Sequence, residues 1–422
     1  MHLRKLWISI AVALLATFPA LYLRFTGSRP DPVLDAALFG TAILAAGFML
    51  SWGAESAEGQ ISSGLILAVV ALITVLPEYA VDIYYAWRAG QNPQSPYVHY
   101  AAANMTGANR LLVGLAWPLL VLLNWWRTRE QAISLAPVNR VEIAFLLLPT
   151  VYAFIILLRD RIGPFDAFVL IGIFAAYIWR VSTLPKVEGE DEEREAAEPG
   201  LAAAIEALPI RSQWTLMALL TLVAAAVIFV SAEPFAESMV EAGRVIGIDE
   251  FLLIQWLAPL ASEAPAVTVA VLFVLSARAA AGMTTMISDK INQWTLLVGM
   301  LPLAFSVGAG TLSSLPLDSR QHEEFFLTAA QSLFGLSLLL RLRLGVGGAV
   351  ALVILFSLQV VLAFSFRTDE ARTIATLTAL GWGYIALSVA IALLNAKRLR
   401  MFWAGLFGNV HSTIPTSLDR IS

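Results

Sequence analysis

"LPEYAVD", residues 76–82, sets two acids, Glu78 and Asp82, in the middle of an apolar run. "SSGLILAVVALITV" (62–75) precedes it and "IYYAW" (83–87) follows it. A charge at bilayer mid-depth costs roughly 2.5–3.5 kcal/mol. A chain that keeps two of them there gains something from their presence.

The surrounding chain leaves little doubt about the solvent. Of its 422 residues, 59% are hydrophobic and 14% charged, and mean hydropathy is +0.76. Soluble domains carry about 25% charged residues, so this is a multi-pass membrane protein whose first partner is the lipid bilayer. A formal net charge of −4 gives no basic footprint, which argues against nucleic acid as a partner. Cysteine is absent, and the four histidines, at 2, 99, 322 and 411, have no metal-ligand spacing. No permanently bound cofactor is implied.

A spanning helix needs ~20 apolar residues. The chain offers twelve such segments, an all-α fold: 6–25, 32–52, 61–88, 97–125, 140–158, 164–182, 213–237, 249–277, 284–307, 324–343, 346–365 and 374–396. The break before 284 rests on Gly282. The first segment follows basic residues like a signal peptide, but Pro19 and Arg24 stand where a small-residue cleavage site belongs, so it reads as a retained helix. "LPKVEGEDEEREAAEPG" (184–200) opens an acidic linker over 184–212 that divides the segments six and six. Lysine and arginine near the segment ends place both termini and this linker in the cytoplasm, with the protein in the cell membrane. Tyr84, Tyr85, Trp87, Trp125 and Trp126 read as an interfacial aromatic belt. His99 and His322 read as ordinary surface histidines.

The stretch at 76–82 has a second copy. At a constant shift of 185 residues, Glu78 falls on Glu263 in "APLASEAPAV" (258–267), Asn104 on Asp289, and "LLVG" (111–114) on "LLVG" (296–299). Glu78 lies on the third segment and Glu263 on the eighth. An odd number of crossings separates them, so the two copies run oppositely through the bilayer. Two inverted five-helix repeats are predicted, 32–183 and 213–366, with an extra helix at each end (1–31 and 367–422). Such repeats place transport sites near the midplane at their interface. Pro77, Pro259 and Pro265 beside the glutamates each remove a backbone donor and free a carbonyl one turn back. They predict two broken helices crossing at the acids. Glu78, Glu263, Asp289, Asn104 and free carbonyls make an all-oxygen site suited to a hard cation, Ca²⁺ or Na⁺, carried rather than held. Asp82, one turn from Glu78 and on its face, is a second proton or cation carboxylate or a partner for Arg110 or Lys290. Arg110 should pair with an acid.

At these residues the chain resembles the cation/Ca²⁺ exchanger superfamily, in particular the sodium/calcium exchanger family, whose repeats read approximately G-T-S-x-P-E and, about 26 residues on, N-x-x-G-S-N or a version with Asp. Here the first repeat gives Ile73-Thr74-Val75-Leu76-Pro77-Glu78 and Asn104-Met105-Thr106-Gly107-Ala108-Asn109. The second gives Ala258-Pro259-Leu260-Ala261-Ser262-Glu263 and then Asp289. The resemblance implies Ca²⁺ antiport by alternating access, with Glu78 and Glu263 as central carboxylates and the Thr74 carbonyl as a further ligand. It implies that Asn104 and Asp289 line flanking sodium or proton sites. Val75, Leu260 and Pro259 stand where the family has hydroxyls that help hold sodium, which favours proton coupling. Lys290 is foreign to the pattern: its ammonium either stands in for a coupling cation or packs away from the site. Asn109 is either a site residue or a helix-contact amide. A Na⁺/H⁺ or K⁺ exchanger, or a non-transporting sensor, fits the same fold. An intramembrane aspartyl protease does not, because Asp82 and Asp289 lack the Gly-x-Gly-Asp context.

Overall fold

The structure, a computed structural model, describes residues 2–58, 75–183 and 201–396. Helices α1 (His2–Thr26) and α2 (Pro32–Glu58) are followed by α3 (Leu76–Gln91), α4 (Tyr97–Leu111), α5 (Trp117–Thr128), α6 (Arg140–Leu157) and α7 (Pro164–Ser182). A short α8 (Leu201–Glu206) leads to α9 (Ile210–Ile246), α10 (Glu250–Leu275), α11 (Ala279–Asn292), α12 (Val298–Ala309), α13 (Ser319–Leu339), α14 (Val346–Ser365) and α15 (Glu370–Leu394). π-Helical turns at Leu112–Ala116 and Gln293–Leu297 join α4 to α5 and α11 to α12, so each pair runs on as one long element. Among the described residues, ten helices are long and apolar enough to cross a membrane. The remaining long helices, α3 and α13, carry much of the buried polar chemistry.

Four small strands pair as two antiparallel ribbons: β1 (Ala132–Ser134) with β4 (Arg343–Gly345), and β2 (Arg161–Ile162) with β3 (Leu315–Pro316). An all-helical reading does not foresee them. β1 follows the third helix of the first repeat and β3 the third helix of the second; β2 and β4 follow the respective fourth helices. Each ribbon therefore joins a loop of one repeat to the other repeat's next loop, and the ribbons sit at opposite ends of the bundle. That exchange is what two inverted copies related by a twofold axis in the membrane plane produce.

Several boundaries differ from the sequence reading. The break before α11 falls at Ala277, which takes a left-handed conformation (φ 63°), and not at Gly282. Gly282 lies within α11, where a Cβ would come within 2.6 Å of the Ala270 carbonyl oxygen of α10; its smallness serves helix contact. The predicted linker is partly helical, since α8 and the start of α9 fall in it, while 184–200 lie outside the described residues. α9 continues to Ile246 rather than ending near 237, because "EPFAESMVEAGRVI" keeps good helix formers through its charged stretch. α10 is not broken: it runs through Pro259 and Pro265. Each proline removes one helical bond, leaving the Gln255 and Ala261 carbonyls without their usual donor; the Ser262 hydroxyl hydrogen-bonds the Ala258 and Pro259 carbonyls between them. Tyr84 and Tyr85 are buried in a cluster with Tyr97 and Tyr100 rather than lying in a lipid-facing belt. Their hydroxyls donate to Glu237 Oε1 and the Ala236 carbonyl. Trp126 does face outward.

His99 and His322 sit at one end of the bundle, on Asp318 at 3.0 Å and Asp160 at 2.5 Å. Asp318 caps α13 in a reciprocal capping box with Gln321. Burial pushes its carboxyl up, but hydrogen bonds from His99 and from the Gln321 backbone N–H outweigh that and hold it below the ordinary aspartate range.

Without an aqueous driving force between spans, close packing holds helices together, and small residues permit it. α3 and α12 touch backbone to backbone at two glycines. A Cβ at Gly90 would stand 2.0 Å from the Phe305 carbonyl oxygen, and one at Gly308 would stand 2.1 Å from that of Trp87. Gly90→Ala or Gly308→Ala is therefore expected to cost ~1–3 kcal/mol or more. In a thermal-stability assay both should melt below wild type. Gly347→Ala, whose methyl meets open space, should melt with it.

Candidate functional site

Glu78 stands in the first turn of α3, after Val75 and Pro77, where the helix dipole favours a carboxylate. Glu263 lies mid-way along α10, which α3 contacts. The two side chains are 1% and 4% exposed and lie within side-chain hydrogen-bonding reach of each other. Glu263 Oε1 accepts a hydrogen bond from Gln293 Nε2 at 2.5 Å. Among the described residues, neither oxygen of Glu78 has a donor. Two ionised carboxylates cannot bond one another: they are acceptors only and repel. Side by side and out of water, they stay together only by sharing a proton or a cation.

The flanking residues divide. Asp82 is fully buried one turn along α3, and its Oδ1 accepts from Asn104 Nδ2 at 2.9 Å. Its Oδ2 and Asn104 Oδ1 are buried without a donor or partner among the described residues, which leaves two oxygens beside the glutamate pair. Asp289, on α11, is partly buried and within electrostatic range of Glu78. Thr74 lies outside the described residues. The expected cluster of three carboxylates with an amide is thus a tight pair with satellites; among the described residues no three acidic or histidine side chains form a ready metal cluster. Asp82 is bonded to Asn104, and Asp289 lies on α11.

Lys290 does not snorkel. It is fully buried, and its Nζ donates to Asn109 Oδ1 at 2.6 Å and to the Asn109 carbonyl at 3.3 Å, 4.6 Å from the centre of the Trp294 ring. Asn109 is therefore tied to Lys290 and, through Nδ2, to the Met105 carbonyl. Arg110 does pair with an acid, but with Glu324 of α13, at 2.6 Å with both side chains almost wholly buried; Asp82 is not its partner. The guanidinium also donates to the Thr106 carbonyl and lies 5.0 Å from the Trp256 ring centre.

A carbonyl freed by proline does face the neighbouring repeat. Pro259 deprives the Gln255 carbonyl of its helical donor, and that oxygen presses on Gly107 of α4, where a Cβ would come within 1.8 Å. The contact has the form of a Cα–H···O approach between helices, which explains the glycine in "NMTGAN". This carbonyl serves helix packing.

The family model described as sodium/calcium exchanger protein matches residues 33–183 and again 216–365. The chain belongs to the sodium/calcium exchanger family. Members of this family are membrane transporters and not enzymes. The structure described as H⁺/Ca²⁺ exchanger CAX is 39% identical, with 96% of this chain and 98% of that one covered and a TM-score of 0.87. Native YfkE, at 11% identity, covers 85% of this chain and 99% of its own with a TM-score of 0.61. The sodium–calcium exchanger NCX_Mj, soaked with Na⁺ and Sr²⁺, is 16% identical over 78% of this chain and 97% of its own, with a TM-score of 0.51. These last two likenesses are of fold. No curated protein matches.

Three polar residues of this exchanger's core were not singled out from the sequence. Gln293 has a signal: it lies one turn beyond Asp289 on a helix already marked by the repeat, and side chains at that spacing share a face. Glu324 has none, because its pairing with Arg110 spans distant segments. Gln255, fully buried with its amide unbonded among the described residues, lies two turns before Glu263 on α10.

Proposed function

We propose that this exchanger is a secondary active antiporter that carries Ca²⁺ in exchange for H⁺, with Glu78 and Glu263 holding the ion. The observation that carries the reading is the occluded Glu78–Glu263 pair, in which Glu78 has no donor among the described residues. A hard divalent ion takes carboxylate and carbonyl oxygens and would neutralise both charges at once. When it leaves, protons neutralise the same two carboxylates, and the protonated, uncharged site can cross to the other access state. Emptying the site without a replacement would bury repelling charges, so exchange is enforced by the cost of the unoccupied pair. Asp82 and Asn104 contribute adjoining oxygens, and Asp289 adds negative potential.

Proton rather than sodium coupling is supported by three features. Hydroxyls that would help hold sodium are replaced by Val75, Leu260 and Pro259. The Lys290 amine already occupies Asn109. The 39% identical relative is described as an H⁺/Ca²⁺ exchanger. We place the protein in the cell membrane with both termini and the 184–212 linker in the cytoplasm, as the lysine and arginine bias favours.

The test is ⁴⁵Ca²⁺ uptake by proteoliposomes of the full-length chain, with a proton gradient or a sodium gradient imposed separately. A proton gradient should drive uptake and a sodium gradient should leave it at the leak. Uptake driven by sodium alone would overturn the proton assignment, and uptake with neither would overturn Ca²⁺ exchange.

A further inference from the structure

A cavity of 320 Å³ opens far from the glutamate pair, where α13 ends, β4 turns into α14, and α15 finishes. Arg341 and Arg343 line it together with Ser337, Leu338, Ile391 and Asn395. Arg341 is fixed in place: its Nε donates to Asn395 Oδ1 at 2.7 Å, and Asn395 in turn donates to the Ile391 carbonyl. That leaves the terminal nitrogens of the guanidinium for another acceptor. Neither arginine has an acidic partner among the described residues. The acid nearest the cavity wall in sequence, Glu130, accepts from Asn124 instead.

The local charge is one-sided. No Asp or Glu occurs at 325–368 or 371–418, and Lys397, Arg398 and Arg400 follow directly after α15. The cavity is also two-natured. Its arginines lie at the helix ends, while Leu338 and Ile391 form an apolar wall leading toward the spans. Three residues on from Ile391, Leu394 is 82% exposed among the described residues. Paired guanidiniums match the oxygens of a phosphate, and basic pockets between spans at the membrane surface suit anionic headgroups.

We propose that this cavity binds the phosphate of an anionic phospholipid from the adjoining leaflet, held by Arg341 and Arg343, with the glycerol end of the lipid against Leu338 and Ile391. A free phosphate ion would meet the same guanidiniums. The apolar wall favours the lipid. The site is independent of the transport reading and stands or falls without it.

Native mass spectrometry of the full-length protein in detergent, with equimolar phosphatidylglycerol and phosphatidylcholine, tests this. Wild type should retain phosphatidylglycerol roughly thirtyfold over phosphatidylcholine, as expected for two juxtamembrane arginines at about 1 kcal/mol each. Arg341→Gln/Arg343→Gln should bring the ratio near unity, whereas Arg180→Gln, elsewhere on the chain, should leave it unchanged. Ser337→Phe, which fills the cavity and keeps both charges, should also abolish the preference, and it serves if the double variant fails to fold. Equal retention of the two lipids by wild type, or a preference that survives Ser337→Phe and the double variant, would overturn the proposal. Displacement of phosphatidylglycerol by millimolar inorganic phosphate would also overturn it, by reassigning the cavity to a free anion.

Discussion

Glu78→Gln should reduce proteoliposome Ca²⁺ exchange by at least about a hundredfold. The glutamine is isosteric and keeps one oxygen, so packing at the first turn of α3 is preserved. What goes is one of the two charges that a divalent ion neutralises. Breaking a buried charge pair by removing one member costs roughly 3–5 kcal/mol, and each 1.4 kcal/mol is tenfold in affinity. The variant also leaves Glu263 with no partner that can take up the second proton of the exchange cycle. Glu263→Gln should do the same, with the further loss of a charged acceptor for Gln293. The check is initial ⁴⁵Ca²⁺ uptake at equal reconstituted protein. A rate within twofold of wild type for either variant contradicts the assignment.

The second large effect concerns stability. Arg110 and Glu324 form an ion pair away from water, with side chains 1% and 2% exposed. Glu324→Gln leaves the buried guanidinium without a counter-charge, facing only neutral groups: the new amide, the Thr106 carbonyl and the Trp256 face. The expected cost is ~3–5 kcal/mol, seen as a lower melting temperature and poorer recovery of monodisperse protein. Removing both charges in Arg110→Met/Glu324→Leu should recover most of that loss, because replacing a buried pair by apolar residues of similar volume is often neutral or stabilising. A Glu324→Gln variant as stable as wild type would show that the pair contributes nothing to the fold.

The decisive geometry was legible in two short stretches. A shared shift of 185 residues, with an odd number of crossings between copies, is enough to set Glu78 against Glu263, and in the structure both carboxyls are buried on contacting helices. Span positions were legible for the same reason: hydrocarbon imposes a length and a composition that local sequence must obey. Features that depend on partners were not. The sequence marks Arg110 as needing an acid, but nothing local names Glu324, from which α5 to α12 separate it in the chain. Pro259 and Pro265 read as a break in α10, although the helix runs through both. Gly282 read as a turn, yet it is a contact point, since smallness and flexibility look alike in a sequence. Tyr84 and Tyr85 read as an interfacial belt because aromatic composition does not say which way a helix faces; only the packing of α3 against α9 buries them.

Lys290 illustrates the same limit at the site. Its neighbour Asp289 belongs to the repeat, and the sequence offered both a cation in the site and a side chain turned away. The structure holds its Nζ on Asn109 at full burial, close enough to Glu78 for an electrostatic interaction. Its amine is tied to Asn109, not turned away from the core.

The most direct test of the shared site is anomalous diffraction from the full-length exchanger crystallised with Sr²⁺, a hard substitute for Ca²⁺. One peak is predicted between α3 and α10, about 2.3–2.6 Å from an oxygen of Glu78 and from an oxygen of Glu263, and absent in Glu78→Gln. An ion bound elsewhere, with those two carboxylates uncoordinated, would contradict the account.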